Sequence, residues 1–223
     1  MRTRLLVFAA VGLVIAVGNG MLRSDSGEKA ARDNIGALIK QLGDDKFAKR
    51  EQAGRELEAI GEPALTALRK AAGSSDSLEI RRRAEQIGRA IGARLAKTHT
   101  KNLQGTWQLV SMHVGDAEVA PDEIKKRRLV IDGDQWIRSI GDNAHKCPFK
   151  VNPANEPRHL DITEVSKGKS STWPCLYELT EDLLIVCFPN GSGVRPIKIE
   201  PIQGIQGDGT YVTGVWVYKR EKK

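Results

Sequence analysis

Metal or nucleophilic chemistry in this chain would have to be built from four histidines and three cysteines: His99, His113, His145 and His159, with Cys147, Cys175 and Cys187. Two couples stand out, His145-x-Cys147 and His159-x-Asp161. Side chains alternate along a strand, so each couple would share one face. If Val151 pairs with Arg158, the two couples point to opposite faces, and no shared metal centre is expected. The cysteines are too scattered for a zinc ribbon, and no Cys-x-x-Cys occurs. Gly191-Ser192-Gly193 lacks the strand–turn–helix setting of a nucleophile elbow. Residues 204–209 are glycine-rich but outside the strand-to-helix context of a phosphate loop. The expectation is therefore no catalytic constellation, no metal and no cofactor.

The frame around these residues is 223 residues long, 40% hydrophobic and 28% charged, enough for one large or two small folded domains. Aromatic residues make up only 5%, which argues against a large aromatic-lined pocket. The net charge of +7 divides unevenly: +2 falls in residues 1–22, +5 in 23–101 and none in 102–223. An anionic partner, if there is one, is thus suggested for the front half alone.

Residues 1–20 read as a signal peptide or signal anchor. Arg2 and Arg4 form a basic n-region, and Leu5 to Val17 are apolar apart from Gly12. Small residues Ala16 and Gly18 follow, where a signal peptidase could cut. The apolar run is shorter than the roughly 20 residues of a spanning helix. Membrane attachment is expected only if this segment stays uncleaved, and the chain is expected to be exported to a periplasmic or extracellular location.

Residues 30–97 carry a period of 3.6. Ile35, Leu38, Ile39 and Leu42 share a face; Phe47, Ala53, Leu57 and Ile60 continue it; Leu65, Leu68 and Ala72 follow; Ile80, Ala84, Ile87, Ile91 and Leu95 form the longest stripe. Pro63 suits a helix start, and Asp76-Ser77-Leu78-Glu79 suits a capping box with Asp76 as the cap. Arg50-x-x-Ala53 with Ala59-Ile60-Gly61 recurs as Arg81-x-x-Ala84 with Ala90-Ile91-Gly92. The pattern resembles short HEAT-like repeats and implies a protein-contact module. Arg81, Arg82, Arg83, Arg89 and Arg94 give its last helix a basic face. Nucleic-acid binding would want aromatics interleaved with that face, and Phe47 alone is present, so it is not expected.

After Lys101 the pattern turns to short alternating runs divided by Gly, Asp, Asn and Pro. Strands are expected at 107–114, 128–131, 135–140, 147–151, 158–163, 175–179, 183–188, 194–200 and 211–219, with a helical turn at 121–126. So many short strands suit a closed antiparallel barrel, which removes exposed edges. Leu103-Gln104-Gly105-Thr106-Trp107, Leu129-Val130-Ile131-Asp132-Gly133-Asp134, Phe149-Lys150-Val151-Asn152-Pro153, Leu160-Asp161-Ile162-Thr163, Leu176-Tyr177-Glu178-Leu179, Leu184-Ile185-Val186-Cys187, Arg195-Pro196 and Val217-Tyr218-Lys219-Arg220-Glu221 carry a resemblance. In this order, residues 102–221 resemble the uncharacterised lipocalin-like domain found in many copies in planctomycete genomes. The fold class expected is α+β: HEAT-like helical hairpins (30–97) followed by an antiparallel lipocalin-like β-barrel (102–221).

The resemblance implies a fold and no reaction. It implies that Gly105 and Trp107 close one barrel end, with Lys219 or, preferably, Arg220 over the indole; a cation there adds roughly 0.5–2 kcal/mol. Polar residues within the family-like motifs, Asp161, Tyr177, Glu178 and Arg195, are ligand-binding candidates, against the alternative that the acids face solvent or pair with Arg195. Cys147 and Cys175 stand where the family usually has glycine. They lead to a Cys175–Cys187 disulfide, a Cys147–Cys175 disulfide, or three free thiols. The leading expectation is an exported, non-catalytic binding or scaffold protein, whose barrel holds a small ligand or packs solid and whose helices contact a protein partner. The alternatives are a barrel hydrolase or isomerase using Asp161, Glu178 and Arg195, and an anionic-surface or nucleic-acid binder acting through the basic helices.

Overall fold

The computed structural model describes residues 25–166, 168–190, 193–206 and 209–222. The segment read as an export signal lies outside them, as do Gly191 and Ser192. No helix among the described residues is long and apolar enough to cross a membrane.

Helices α1 (Asp25–Gln41), α2 (Phe47–Ile60), α3 (Leu65–Ser74) and α4 (Leu78–Leu103) come first. The 3.6-residue spacing does the work expected of it. Ile35, Leu38, Leu42, Ala53, Leu57, Leu65, Leu68, Ala84, Ile87 and Ile91 form one buried cluster. Gly61 ends α2 at φ 74°, a backbone that strains any L-residue with a Cβ, and its N–H bonds the Leu57 carbonyl. Pro63 then opens a one-turn helix, Glu62–Ala64. Two local expectations need correction. The cap of α4 is Ser77, whose hydroxyl accepts from the Ile80 N–H, while Glu79 is drawn away to Arg83. Phe47 is 64% exposed, because the chain enters α2 at that residue; the Arg50 guanidinium lies 5.5 Å from its ring. The two copies of the sequence repeat also diverge. Ala53 and Ala84 are both buried, but Arg50 bonds the Asp44 and Asp45 carbonyls whereas Arg81 is exposed.

The second part is a closed antiparallel barrel. Its eight wall strands are β1 (Gly105–Val114), β3 (Arg127–Asp132), β4 (Gln135–Ile140), β5 (Asn143–Asn152), β6 (His159–Ser166), β7 (Lys169–Leu179), β8 (Leu183–Asn190) and β10 (Gly209–Arg220). Each pairs with the next in this order, and β10 returns to β1. Short strands β2 (Ala117–Glu118) and β9 (Gln203–Gln206) extend β1 and β10, and a small helix, α5 (Pro121–Lys125), precedes β3. Inward residues alternate along each strand: Leu129 and Ile131, Cys147 and Phe149, Leu160 and Ile162, Cys175 and Tyr177, Leu184 and Val186. A bulge after Leu109 resets the phase, so that Trp107, Leu109 and Met112 all join the core.

The strands outrun the expected ones where polar residues hid them. Both β5 and β7 begin several residues early, through Asn143–Lys146 and Lys169–Thr172. Residue Val151 pairs with Leu160, not Arg158. Residues 194–200 are not a strand but an irregular loop, whose Ile197 is 77% exposed. Thr213 pins its end: the hydroxyl donates to the Glu200 carbonyl and accepts the Ile202 N–H.

Helix α4, about 39 Å long at the usual rise per residue, belongs to both parts. Its first half packs in the helical core, and Leu103 at its end is buried in the barrel core. On the flank, Ala154 packs against the helical cluster, and Arg158 pairs with Glu62 at 3.0 Å.

Candidate functional site

The barrel has a closed end and an open end, and the residues singled out from sequence distribute between them and the outer wall. At the closed end, the Trp107 indole N–H donates to the Leu103 carbonyl at 2.9 Å. The Arg220 guanidinium stands 3.9 Å from the Trp107 ring centroid and donates to the Gln104 carbonyl. Gly105 has φ 117°, and a Cβ there would come within 3.4 Å of Arg220. Lys219 is exposed, so Arg220 is the residue over the indole.

The four ligand-binding candidates do not converge. Tyr177 is wholly buried inside the barrel, with its hydroxyl 2.9 Å from His99 Nδ1 on α4. Burial pushes the Tyr177 phenol well above its ordinary value. Asp161 and Glu178 lie on the outer face, because the inward positions of their strands are Leu160, Ile162 and Tyr177. Arg195 reaches the outer wall from the loop after β8, where it ion-pairs with Asp161 and donates to the Cys175 carbonyl. The alternation of a strand separates residues that adjoin in sequence, so these groups make an outer clasp rather than a lumenal site.

All three cysteines are free and buried. A Cys175–Cys187 bridge is not made, because Cys175 belongs to the barrel interior and Cys187 to a separate cluster with Leu176, Ile185 and Val215. Cys147 and Cys175 both face inward, but β6 runs between their strands. Burial raises the Cys147 thiol, so it fills the core as a neutral group. Neither His159-x-Asp161 outside nor His145-x-Cys147 inside grows into a group of three metal-ligating side chains among the described residues. On the helices, Arg83 pairs with Glu51 at 2.7 Å and Arg89 with Glu85 at 3.0 Å, which neutralises part of the basic face.

A constellation that sequence reasoning missed lies at the open end. A cavity of about 530 Å³ enters there and reaches down to Leu109 and Tyr218. Its wall includes Arg127, Arg138, His145 and Trp216. The Arg138 guanidinium carbon is 5.9 Å from the Trp216 ring centroid, and the Phe188 ring packs tilted against that indole with centroids 4.2 Å apart. Beside the cavity, His145 Nε2 is 3.1 Å from Glu164, which also accepts the Trp173 indole N–H at 3.1 Å. The low aromatic content is misleading because it averages over the chain: all four tryptophans belong to the barrel interior or pack against it. The arginines were missed because a charged residue in a strand is read as outward. The signal was parity: Arg127 keeps step with Leu129 and Ile131, and Arg138 with Trp136.

This arrangement has donors, a cation pair and aromatic faces. It can hold and orient a small molecule. No family model, no curated protein and no solved structure matches the chain.

Proposed function

We propose that this chain is an exported, non-catalytic binding protein whose barrel receives a small molecule through its open end. The observation that carries this reading is the cavity of about 530 Å³ between Trp216, Tyr218 and Leu109. Its size falls in the range of sites for drug-sized ligands, and it combines apolar walls with a few polar groups. Closure of the other end by α4, Trp107 and Arg220 makes the barrel a cup rather than a channel. The enzyme alternative draws no support from Asp161, Glu178 and Arg195, which lie on the outer wall. Export rests on the basic, apolar and small-residue order of residues 1–20, and the helical module, with Phe47 exposed, is the part offered to a protein partner.

The test uses Nile red, a neutral dye that brightens in apolar surroundings. The protein is expected to bind it saturably at one site per chain. Asn143→Trp, an exposed position on the rim that keeps step with Cys147, should weaken that binding without altering the fold seen by circular dichroism. Absence of saturable binding, or equal binding by the rim variant, overturns the reading. Intact mass of protein recovered from the exported fraction tests export: retention of the whole chain in the cytoplasm removes that part of the proposal.

A further inference from the structure

Among the described residues, three buried side-chain donors inside the barrel find no protein hydrogen-bond partner: Nε of Arg127, Nε of Arg138 and Nε1 of Trp136. They belong to adjacent strands and one face, since Arg138 follows Trp136 by two residues and Arg127 keeps step with Leu129, the partner of Arg138. Neither arginine forms an ion pair among the described residues, although both are only half exposed. Among the described residues no carboxylate lines the cavity. Glu164, inside the barrel, already serves His145 and Trp173, and Glu123, within electrostatic reach of Arg127, is exposed and bonded to Lys126. Guanidinium groups taken partly out of water without a counter-charge are costly, and buried donors without acceptors add to that cost. Two such groups side by side at the mouth of a cavity suit an anionic acceptor. Below and beside the arginines the cavity is apolar, through Leu109, Ile140 and Trp216.

We infer that the barrel's ligand is an amphiphilic oxyanion: a carboxylate or phosphate head held between Arg127 and Arg138, on an apolar body lying against Leu109 and Trp216. The inference rests on the reading of the barrel as a ligand cup and names the class of molecule it takes. A guanidinium offers a planar fork that fits two oxygens of one head group. Two such forks from adjacent strands select the charge, and the aromatic floor selects the chain. A small inorganic anion gains only half of these contacts.

The experiment is displacement of Nile red by decanoate, decyl phosphate and decanol, all below their aggregation limits, with acetate and inorganic phosphate as head groups alone. The charged amphiphiles are expected to displace the dye at concentrations at least ten-fold lower than decanol, and the head groups alone to displace little. Whichever anion leads identifies the head group and so separates a fatty acid from a phosphate lipid as the source. Arg127→Met and Arg138→Met are expected to erase the preference for charge. They are also expected to leave the melting temperature of the empty protein unchanged or higher, since each removes an uncompensated charge. Equal displacement by decanol and decanoate overturns the inference while leaving the cup reading in place. So does a charge preference that survives both substitutions. Failure of Nile red and of every amphiphile to bind removes both.

Discussion

The guanidinium of Arg220, on the last strand, stands 3.9 Å from the indole of Trp107, on the first. Its nitrogens donate to the carbonyls of Asn102, Gln104 and Glu181. Asn102 belongs to the last turn of α4, where carbonyls have no partner within the helix, and Gln104 is the cap that follows. One side chain thus satisfies the helix end, covers the tryptophan and ties both to the turn between β7 and β8. A cation at a helix C-terminus also suits the helix dipole.

Replacing Arg220 by Lys keeps the charge and removes the fork. Lysine cannot serve three carbonyls while lying over the ring, so a loss of about 1–3 kcal/mol is expected. For a chain of this size each kcal/mol lowers the melting temperature by about 2–4 °C. Thermal unfolding followed by circular dichroism checks this; an unchanged midpoint would show that Arg220 is ornamental to the closed end.

The grouping of Gly105, Trp107 and Arg220 at one barrel end was suggested by the family resemblance of the motifs that carry them, not by periodicity. The helical core was legible from periodicity: Leu38, Leu57, Leu68 and Ile91 repeat at helical spacing. The open end was not. There β5 and β7 run on through Asn143–Lys146 and Lys169–Thr172, residues whose polarity argues for loop until a neighbouring strand supplies the hydrogen bonds. Arg127 and Arg138 violate the rule that charges face outward, and only their parity with Leu129, Ile131 and Trp136 hinted that they do. Residues 194–200 failed in the opposite sense. Val194, Ile197 and Ile199 suggest a strand, yet the structure uses Arg195 and Thr213 to hold an irregular loop.

Acid should weaken the fold first through two histidines. Burial, and then Arg158, holds His99 below its ordinary 6.5. Burial, and then Arg195, does the same for His159. The unfolded chain therefore takes up these protons more readily than the folded one. Stability is complete above about pH 6.5 and is lost as pH falls through the folded values. When neutral with its proton on Nε2, His99 accepts the Tyr177 hydroxyl at Nδ1, and protonation removes that acceptor. Urea unfolding between pH 7.5 and 5 should show the loss, with part of it absent in His99→Gln. The carboxylates of Asp44, held down by the Lys46 backbone N–H, and of Glu79, held down by Arg83, act only at lower pH. A flat profile from pH 7.5 to 5 contradicts the assignment.

The three thiols should be silent until the chain unfolds. Cys147, Cys175 and Cys187 have no exposed surface, and burial pushes Cys187 up to about 11 and Cys175 further. Thiolate is the reactive form, so both access and ionisation oppose labelling. A coloured disulfide reagent at pH 8 should find essentially no fast-reacting thiol in the native protein and three in urea without reductant. One thiol in urea would mean that two cysteines are bridged, and the face assignment of Cys175 and Cys187 would fall.

Asp161 and Arg195 offer the sharpest separation between the outer wall and the lumen. The pair holds the 193–202 loop against β6 and β7, through the Asp161 carboxylate and the Cys175 carbonyl. Asp161 is 44% exposed, so water already screens the pair and the loss on Arg195→Ala should be modest, about 0.5–1.5 kcal/mol. The effect should be local. Amide exchange should quicken in the loop and in the neighbouring half of β7, because the clasp touches those elements. Ligand affinity should stay within about two-fold of the parent, since neither residue faces the cavity, whereas Arg138→Met should lose the preference for charged amphiphiles. If Arg195→Ala instead abolished binding while the barrel kept its spectrum, the recognition site would have to be moved from the lumen to the outer wall.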